Sequence, residues 1–420
     1  MGDHDKAAED DVRMRGFAHR HTVAAALAWL DAQLQVLGGE IAPLRMAAGR
    51  VLASAVVSEL DVPGFDRATM DGYAVRAEST EGATSYNRLP LVVIGDSLPG
   101  HPFEGSVAVG QAVRIMTGAP LPPGCDAVLP AEWSEDAAAT TATVCALAAV
   151  SPGKNVGRQG EDIVRGTTLL QTGRVLRPQD LGVLSSIGLG EAHVFSRPRV
   201  RLVVTGNELL PSGSRPHGYR IADANGPMLA ALVERDGGVV DAPGLVADEA
   251  DAILNALQAS ADVIIVSGGS SVGIEDLAPT LVARHGELAI HGIAMRPSSP
   301  TGLGRIGSRL VFLLPGNPVS CLCAYDFFAG RAIRALGGRA KAWPYRSIRA
   351  RLTRKISSPI GRLDYARVRV ADGAVEPLAV GGASVLTSTT RADGFVIVPD
   401  DSEGFAPGTD VEVWLYAPDA

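Results

Sequence analysis

The sequence has few of the residues that mark a secreted, membrane-bound or zinc-binding protein. Only four of its 420 residues are cysteine, and Cys125, Cys145, Cys321 and Cys323 match neither a metal-ligand spacing nor a disulfide framework. No apolar run reaches the roughly 18 residues that a membrane span needs. Residues 1–19 are acidic and polar, unlike a signal peptide, and we interpret them as a flexible tail. We expect a reduced, cytoplasmic protein with no membrane partner.

Basic charge is also scarce. The net charge of −8 argues against a general nucleic-acid binder. Lysine is nearly absent, because only Lys6, Lys154, Lys341 and Lys355 occur among the 38 basic residues. The eight histidines are scattered and form neither a zinc motif nor the pattern of a Ser-His-Asp triad. A zinc enzyme and a serine hydrolase therefore have no support.

The chain is too long for one ordinary core, and its texture changes along its length. Thr22 is a plausible cap of an amphipathic helix, and a second helical piece is expected at residues 43–53. Short apolar runs separated by glycine and proline predict a β domain at 61–150. This domain would be inserted into a flanking domain made of residues 20–60 and 151–197, with a helix at 178–188.

Residues 198–342 alternate between strands and helices, which predicts an open, mostly parallel, doubly wound α/β sheet. Strands are expected in RVRLVV, ADVIIVSGG, ELAIHGIAM and RLVFLL. Helices are expected at 223–237, with Asn225 as the cap, at 248–259, in LAPTLVARHG and from Pro318 onward. Residues 343–420 read as a small β-barrel or sandwich.

One part of that last region is strongly basic. Asp364 is the only acid among eight cations: Arg346, Arg349, Arg351, Arg354, Lys355, Arg362, Arg367 and Arg369. These side chains form either solvated strand faces or a basic wall that faces an anion.

Three loops follow strands of the predicted sheet, where ligands of α/β proteins bind. They are Thr205-Gly206-Asn207-Glu208, the glycine loop from Ser267 to Gly273, and Pro315 to Ser320. Glycine lets backbone approach a ligand, and free N–H groups at helix starts bind phosphate-like anions. None of the loops is a Walker A or G-x-G-x-x-G motif, which disfavours an ordinary NTPase or dehydrogenase.

Carboxylates gather at the same edge. Glu208, Asp248 and Asp276 beside a phosphate site would suit Mg²⁺, which prefers oxygen ligands. Asp248 could equally be a helix cap. Two further polar segments, residues 66–73 and 157–163, lie outside the sheet domain. They are either loops tied by salt bridges or parts of a site formed between domains or subunits.

Taken together, these segments resemble the MoeA family of molybdopterin molybdenumtransferases, related to the carboxy-terminal domain of gephyrin. The resemblance covers residues 20–415. It rests on seven motifs in the family's order: VPGFDRATMDGYAV, AVRIMTGAPLPPGCDAV, GRQGEDI, TGNELL, VSGGSSVGIED, LLPGNPVS and RADGFVIVP.

The resemblance implies an elongated helical domain, an inserted β domain, a MoaB/Mog-like molybdopterin-binding α/β domain and a carboxy-terminal β domain. It also implies a homodimer with its site in a cleft between subunits. The implied reaction inserts molybdenum from molybdate into adenylylated molybdopterin and releases AMP with the help of Mg²⁺. A molybdopterin adenylyltransferase and recipient molybdoenzymes are the implied partners.

By motif match, Asp71, Asp162, Glu208, Asp248 and Asp276 are the expected catalytic residues, the last three holding the metal. The expected substrate-binding residues are Thr205, Gly206, Ser267, Gly268, Gly269, Ser271, Gly273, Arg296, Pro315, Gly316, Asn317, Pro318, Ser320 and Arg362.

The chain departs from the family at two places. Asn207 replaces a carboxylate, and the family's Lys-Pro-Gly-Lys-Pro segment reads Arg296-Pro297-Ser298-Ser299-Pro300. Arg296 keeps a positive charge, whereas Ser299 does not, and losing a cation beside an anionic substrate costs on the order of 10²-fold in rate. A molybdopterin-binding carrier or scaffold is therefore the alternative to an active enzyme. Molybdopterin adenylylation is a third reading, disfavoured by the three additional domains.

Overall fold

The computed structural model describes residues 20–136, 142–242, 244–269, 277–379 and 381–417. The chain forms two compact units. One contains the described residues up to Glu40, Gly49–Ala53 and the described residues from His193 onward; the other contains Ile41–Ala48 and Ser54–Ala192. Among the described helices, none is long and apolar enough to cross a membrane.

The first part of the chain is dominated by short strands. Its helices are α1 (Val23–Gln33) and α2 (Pro178–Ser186), and its strands are β1 (Gly39–Pro43), β2 (Val56–Val57), β3 (Arg67–Ala68), β4 (Gly72–Val75), β5 (Leu89–Ser97), β6 (Gln111–Ile115), β7 (Ala127–Pro130), β8 (Ser134–Asp136), β9 (Thr143–Ala146), β10 (Val156–Gly157), β11 (Thr168–Leu170) and β12 (Glu191–Phe195). A six-stranded sheet has the order β7-β4-β6-β5-β9-β8. Leu91, Leu129 and Val144 are buried in its core.

The helix expected after Thr22 is confirmed, since the Thr22 hydroxyl accepts a hydrogen bond from the Ala25 amide at 3.1 Å. The helix expected at residues 43–53 is wrong, because only a single 3₁₀ turn forms there, at Leu44–Met46. The amides of this stretch bond instead to remote backbone: Leu44 to the Gly190 carbonyl and Ala53 to the His193 carbonyl. Pairing with distant segments has overridden local helix propensity.

The second part of the chain is the α/β domain. In chain order it contains β13 (Arg199–Thr205), β14 (Leu209–Leu210), β15 (Ile221–Ala222), α3 (Asn225–Arg235), β16 (Val239–Asp241), β17 (Leu245–Val246), α4 (Ala250–Gln258), β18 (Val263–Ser267), α5 (Leu277–His285), β19 (Glu287–His291), β20 (Met295–Arg296), β21 (Gly302–Ile306), β22 (Arg309–Leu314), α6 (Pro318–Ala324), a π-helical turn (Tyr325–Ala329) and α7 (Gly330–Leu336).

Its main sheet has the order β16-β13-β18-β22-β21-β19, and β17 extends the β13 edge. The strands β16, β13, β18 and β22 are parallel, whereas β21 is antiparallel to both of its neighbours. Alternate residues of the buried strands face opposite sides. Ile265 and Phe312 pack with the α3 and α6–α7 side, while Ile264 and Val311 pack with α4 and α5. The predicted doubly wound α/β domain is confirmed.

Strand β21 was not expected from the sequence. Gly302 and Gly304 lie within it, and glycine lowers strand propensity. A Cβ atom on Gly304 would lie 2.3 Å from the Glu287 carbonyl oxygen, so close backbone approach explains that glycine. The expected strand ELAIHGIAM is broken in two, because β19 pairs with β21 while β20 joins the next domain.

The last part of the chain contains β23 (Arg346–Leu352), β24 (Ile356–Ser357), β25 (Leu363–Ala371), β26 (Ala374–Ala379), α8 (Thr387–Thr390), β27 (Gly394–Val398), β28 (Gly404–Phe405) and β29 (Asp410–Leu415). The order β25-β26-β23-β29-β27 returns to β25, which closes a barrel. Val368, Val396 and Val413 are among its buried core residues. Of the two expected architectures, the barrel is the correct one.

Candidate functional site

Three loops meet at one edge of the α/β sheet. Strands β13, β18 and β22 are parallel neighbours, and they end at Thr205, Ser267 and Leu314. Because carboxyl ends of parallel strands share an edge, the loops that follow lie side by side. The convergence predicted for these loops is therefore observed for Thr205, Gly206, Ser267, Gly268, Gly269 and the Pro315–Ser320 segment.

Asn225 ties this edge together. Its side-chain amide donates to Ser267 Oγ at 2.9 Å and to the Gly316 carbonyl at 2.8 Å. The prediction that Asn225 caps helix α3 is wrong, since Asp223 Oδ1 accepts from the Gly226 amide instead. Its sequence position beside a helix start resembles a cap, so the residue's organising role was missed.

The approach of the first two loops leaves room only for glycine. A Cβ atom on Gly268 would lie 2.0 Å from the Thr205 carbonyl oxygen, and Gly268 has a φ of +97°. Side chains other than hydrogen fit neither the space nor the backbone conformation. Backbone rather than side chains therefore lines this part of the edge.

Two of the three predicted metal carboxylates flank the same loop. The Thr205 hydroxyl donates to Asp248 Oδ1 at 3.2 Å, so Asp248 faces the edge and Glu249, not Asp248, is the cap residue of α4. Glu208 Oε2 would be 2.8 Å from a Cβ atom on Gly206. Asp276, Ser271 and Gly273 lie outside the described residues. Within the described ranges, no cluster of three or more His, Cys, Asp or Glu side chains suits a metal.

A cavity of about 600 Å³ lies beside this edge. We call it the arginine pocket, and its polar lining includes Arg20, Arg296, Ser299, Asn317, Ser320 and Arg362. Pro315, Gly381 and Gly382 complete much of its wall. The pocket thus gathers five predicted substrate-binding residues: Arg296, Pro315, Asn317, Ser320 and Arg362. Gly316 and Pro318 belong to the same loop but do not line the cavity.

Strand pairing brings Arg296 and Arg362 together. Strand β20 runs parallel to β25, with Met295 opposite Leu363 and Arg296 opposite Asp364. The turn that follows is fixed by Ser298, which has a φ of +95° and donates from Oγ to the Ser320 carbonyl. A non-glycine residue in this conformation is strained, and such strain persists where neighbouring contacts hold it.

The pocket carries uncompensated positive charge. Arg362 Nε contacts Asp364 Oδ1 at 2.9 Å, and Asp364 is fully buried. Among the described residues, no carboxylate lies within ion-pairing distance of Arg20 or Arg296. The Ser299 hydroxyl is a buried atom without a hydrogen-bond partner. Guanidinium groups and a spare hydroxyl suit a tetrahedral oxyanion.

The basic region of the last domain serves more than one purpose. Arg346, Arg349 and Arg351 are exposed on strand β23, as solvated strand faces would be. Arg362 lies in the pocket, whereas Arg367 is fully buried and donates from Nη2 to the Gly381 carbonyl. Neither of the two interpretations describes all eight cations.

The polar segments 66–73 and 157–163 lie in the other unit and pair through β3 and β10. Salt bridges join Arg158 to Asp66 at 2.6 Å and Arg67 to Glu161 at 2.9 Å, as the structural interpretation expected. Asp71 stands apart from these bridges. Its Oδ1 accepts from the Thr117 amide and hydroxyl, both at 2.7 Å, and these bonds hold the pKa of Asp71 below its usual value. The carboxylate is therefore ionised at neutral pH, and Asp162 is exposed.

Comparison with known proteins agrees with this architecture. Three family models match in chain order: the MoeA N-terminal region (domain I and II) at residues 21–188, a probable molybdopterin binding domain at 201–335, and the MoeA C-terminal region (domain IV) at 349–416. The chain is 36% identical over 384 residues to molybdopterin molybdenumtransferase 2 of Mycobacterium tuberculosis, with 89% of this chain and 94% of that protein covered. The chain belongs to the MoeA family.

Other MoeA relatives support the same assignment. A molybdopterin molybdenumtransferase of Staphylococcus aureus is 30% identical over 388 residues, covering 90% of this chain and 91% of that protein. The crystal structure of a MoeA protein from Pyrococcus horikoshii superposes with a TM-score of 0.81 at 32% identity, covering 95% of this chain and all of that one. The role of this MoeA protein lies in molybdenum cofactor biosynthesis.

Proposed function

We propose that this MoeA protein is a molybdopterin molybdenumtransferase, which transfers molybdenum from molybdate to adenylylated molybdopterin and releases AMP. One observation carries the proposal: a single loop, Pro315–Ser320, belongs to both halves of the site. The carbonyl of Gly316 is bound at the sheet edge by Asn225, while Asn317 and Ser320 line the arginine pocket. An anion in the pocket would therefore lie beside a phosphate at the edge.

Each half of the site suits one substrate. The glycine-lined edge allows the backbone to approach the phosphates of adenylylated molybdopterin. The arginine pocket offers guanidinium groups to molybdate, a tetrahedral dianion, and holds it in place. Binding both anions in neighbouring sites replaces a collision of two charged molecules in water by a fixed arrangement.

The carboxylates of the edge fit a magnesium ion. Glu208 and Asp248 provide oxygen ligands on either side of one loop, and we propose Asp276 as the third. Mg²⁺, when bound, supplies charge neutralisation at the phosphoanhydride. The Thr205 hydroxyl orients Asp248 for this task. Asp71 and Asp162 are proposed as further catalytic carboxylates, and their substitution by alanine tests that role.

We also propose a cytoplasmic homodimer, with a molybdopterin adenylyltransferase as supplier of the substrate and molybdoenzymes as recipients of the product. The four-domain division set out from the sequence is part of this proposal. Analytical ultracentrifugation of the purified chain tests the dimer, and a monomeric species at micromolar concentration would contradict it.

A carrier or scaffold remains the second candidate, because position 299 bears a serine hydroxyl where the family has a cation. Such a protein would bind adenylylated molybdopterin without turning it over. The exposed charge of Arg296 in the pocket favours the enzyme.

The deciding experiment incubates the protein with adenylylated molybdopterin, molybdate and Mg²⁺. AMP release is measured together with reconstitution of an apo-molybdoenzyme. Both products are expected to appear together and to require molybdate. Tight binding of the adenylylated pterin with neither product would establish the carrier instead, and absence of binding would reject both functions.

A further inference from the structure

Arg20 lies outside the residues that the family models match, which begin at position 21, and outside the motifs that pointed to the site. It nevertheless lines the arginine pocket together with Arg296 and Arg362. Its side chain therefore comes to the site from the opposite end of the unit's sequence.

Backbone hydrogen bonds fix the start of this segment. The His21 amide donates to the Gly292 carbonyl at 3.0 Å, and the Ala294 amide donates to the His21 carbonyl at 2.8 Å. His21 thereby forms a parallel bridge with Ile293, directly before strand β20. Helix α1 begins immediately afterwards, capped by Thr22. Arg20 is thus anchored beside the segment that carries Arg296 and Ser299.

The charge of the pocket shows what Arg20 adds. Arg362 is largely neutralised by the buried carboxylate of Asp364. Arg20 and Arg296 are exposed to the cavity, with no ion-pairing carboxylate among the residues that the structure describes. A dianion needs two such charges, and position 299 contributes a hydroxyl rather than a cation.

We propose that Arg20 is a binding residue for the tetrahedral dianion of the arginine pocket, and that it supplies the positive charge absent from position 299. The buried Ser299 hydroxyl donates a hydrogen bond to the same anion. The identification of that anion as molybdate rests on the proposed function, whereas the pairing of Arg20 with an oxyanion rests on the pocket alone.

The test is direct binding of sodium molybdate, measured by isothermal titration calorimetry at constant low ionic strength. Arg20→Ala is expected to weaken binding by about tenfold or more, because a charge-assisted hydrogen bond and an uncompensated cation are lost. Arg20→Lys should restore part of the affinity, since the charge returns without the guanidinium geometry. Arg346→Ala removes an exposed arginine from strand β23 away from the pocket and should leave binding unchanged.

A second variant separates this role from a structural one. Placing a cation at position 299 in the Arg20→Ala background, by Ser299→Lys, is expected to recover at least part of the lost affinity. Melting temperatures of all variants should stay close to that of the parent chain, because Arg20 is exposed.

The outcomes distinguish this inference from the proposed function. Binding by Arg20→Ala within twofold of the parent chain, or equal weakening by Arg346→Ala, would overturn the role of Arg20. Absence of any molybdate binding by the parent chain would overturn it as well. Weakened binding in Arg20→Ala, with no AMP release by the parent chain, would support Arg20 while rejecting the transferase.

Discussion

The sheet edge and the arginine pocket share the Pro315–Ser320 loop but are built in different ways. The edge is made of backbone, held by Asn225 and by the close contact between Gly268 and Thr205. The pocket is made of charged side chains that come from positions 20, 296 and 362. A backbone site tolerates little change in shape, whereas a charged site tolerates change in shape better than change in charge. Substitutions in the two regions should therefore fail differently.

Gly268→Ala should have the largest effect, because its Cβ would lie 2.0 Å from the Thr205 carbonyl oxygen. We expect a stability loss of about 2 kcal/mol or more and loss of adenylylated molybdopterin binding. Differential scanning calorimetry and a binding titration measure the two effects. Gly307→Ala is the matched control, since Gly307 also has a positive φ, of +61°, but no atoms within 4 Å of the new methyl group. Equal losses in both variants would mean that φ strain, not the loop contact, matters.

Asp248→Asn should keep the shape of the edge and remove one charge. We expect AMP release to fall by about 10²-fold or more while the melting temperature changes little, because stabilisation of developing charge is lost. Initial rates across a Mg²⁺ titration measure this. Asp251→Asn, on the first turn of α4, is the control. An unchanged rate in Asp248→Asn would remove Asp248 from the proposed metal site.

Gly381→Ala tests the wall of the pocket. The new methyl group would lie 2.5 Å from Arg296 Nη2, so the guanidinium must move. We expect KM for molybdate to rise by about tenfold with a smaller change in kcat, since a positioned charge-assisted bond is lost. Gly38→Ala, where nothing lies within 4 Å, should change neither constant. A fall in kcat with KM unchanged would contradict a role of Arg296 in molybdate binding.

Ser299→Lys should have the smallest effect. We expect the parent chain to gain or keep activity, within about threefold, because Arg20 and Arg296 already supply positive charge. Initial rates at low and high molybdate concentration measure it. A sharp loss would show that the pocket has been rebuilt around the Ser299 hydroxyl.

Much of the sheet edge could be predicted from the sequence. A buried strand followed by a glycine-rich loop and a helix fixes where the loop must lie, so Gly268 and Asn317 could be placed in advance. The family resemblance added Glu208 and Asp248. Asn225 was misassigned because a cap and a loop-bridging side chain occupy the same sequence position, and only the distance to Ser267 and Gly316 separates them.

The architecture shows the same division. Periodic apolar patterns correctly predicted α1, α5 and the parallel strands, while glycines hid β21, and the supposed helix at 43–53 gave way to pairing with distant backbone. Local propensity decides where a segment has a strong pattern, and tertiary hydrogen bonds decide where it has a weak one.

The sequence by itself determined the family, the α/β and barrel domains and the loops of the sheet edge, because these depend on residues close together along the chain. Only the tertiary structure decided the composition of the arginine pocket. The parallel pairing of β20 with β25 brings Arg296 to Arg362, and the bridge from His21 to Ile293 brings Arg20 beside them. Charges from distant segments leave no local pattern, so their convergence becomes visible only when the backbone that carries them is folded.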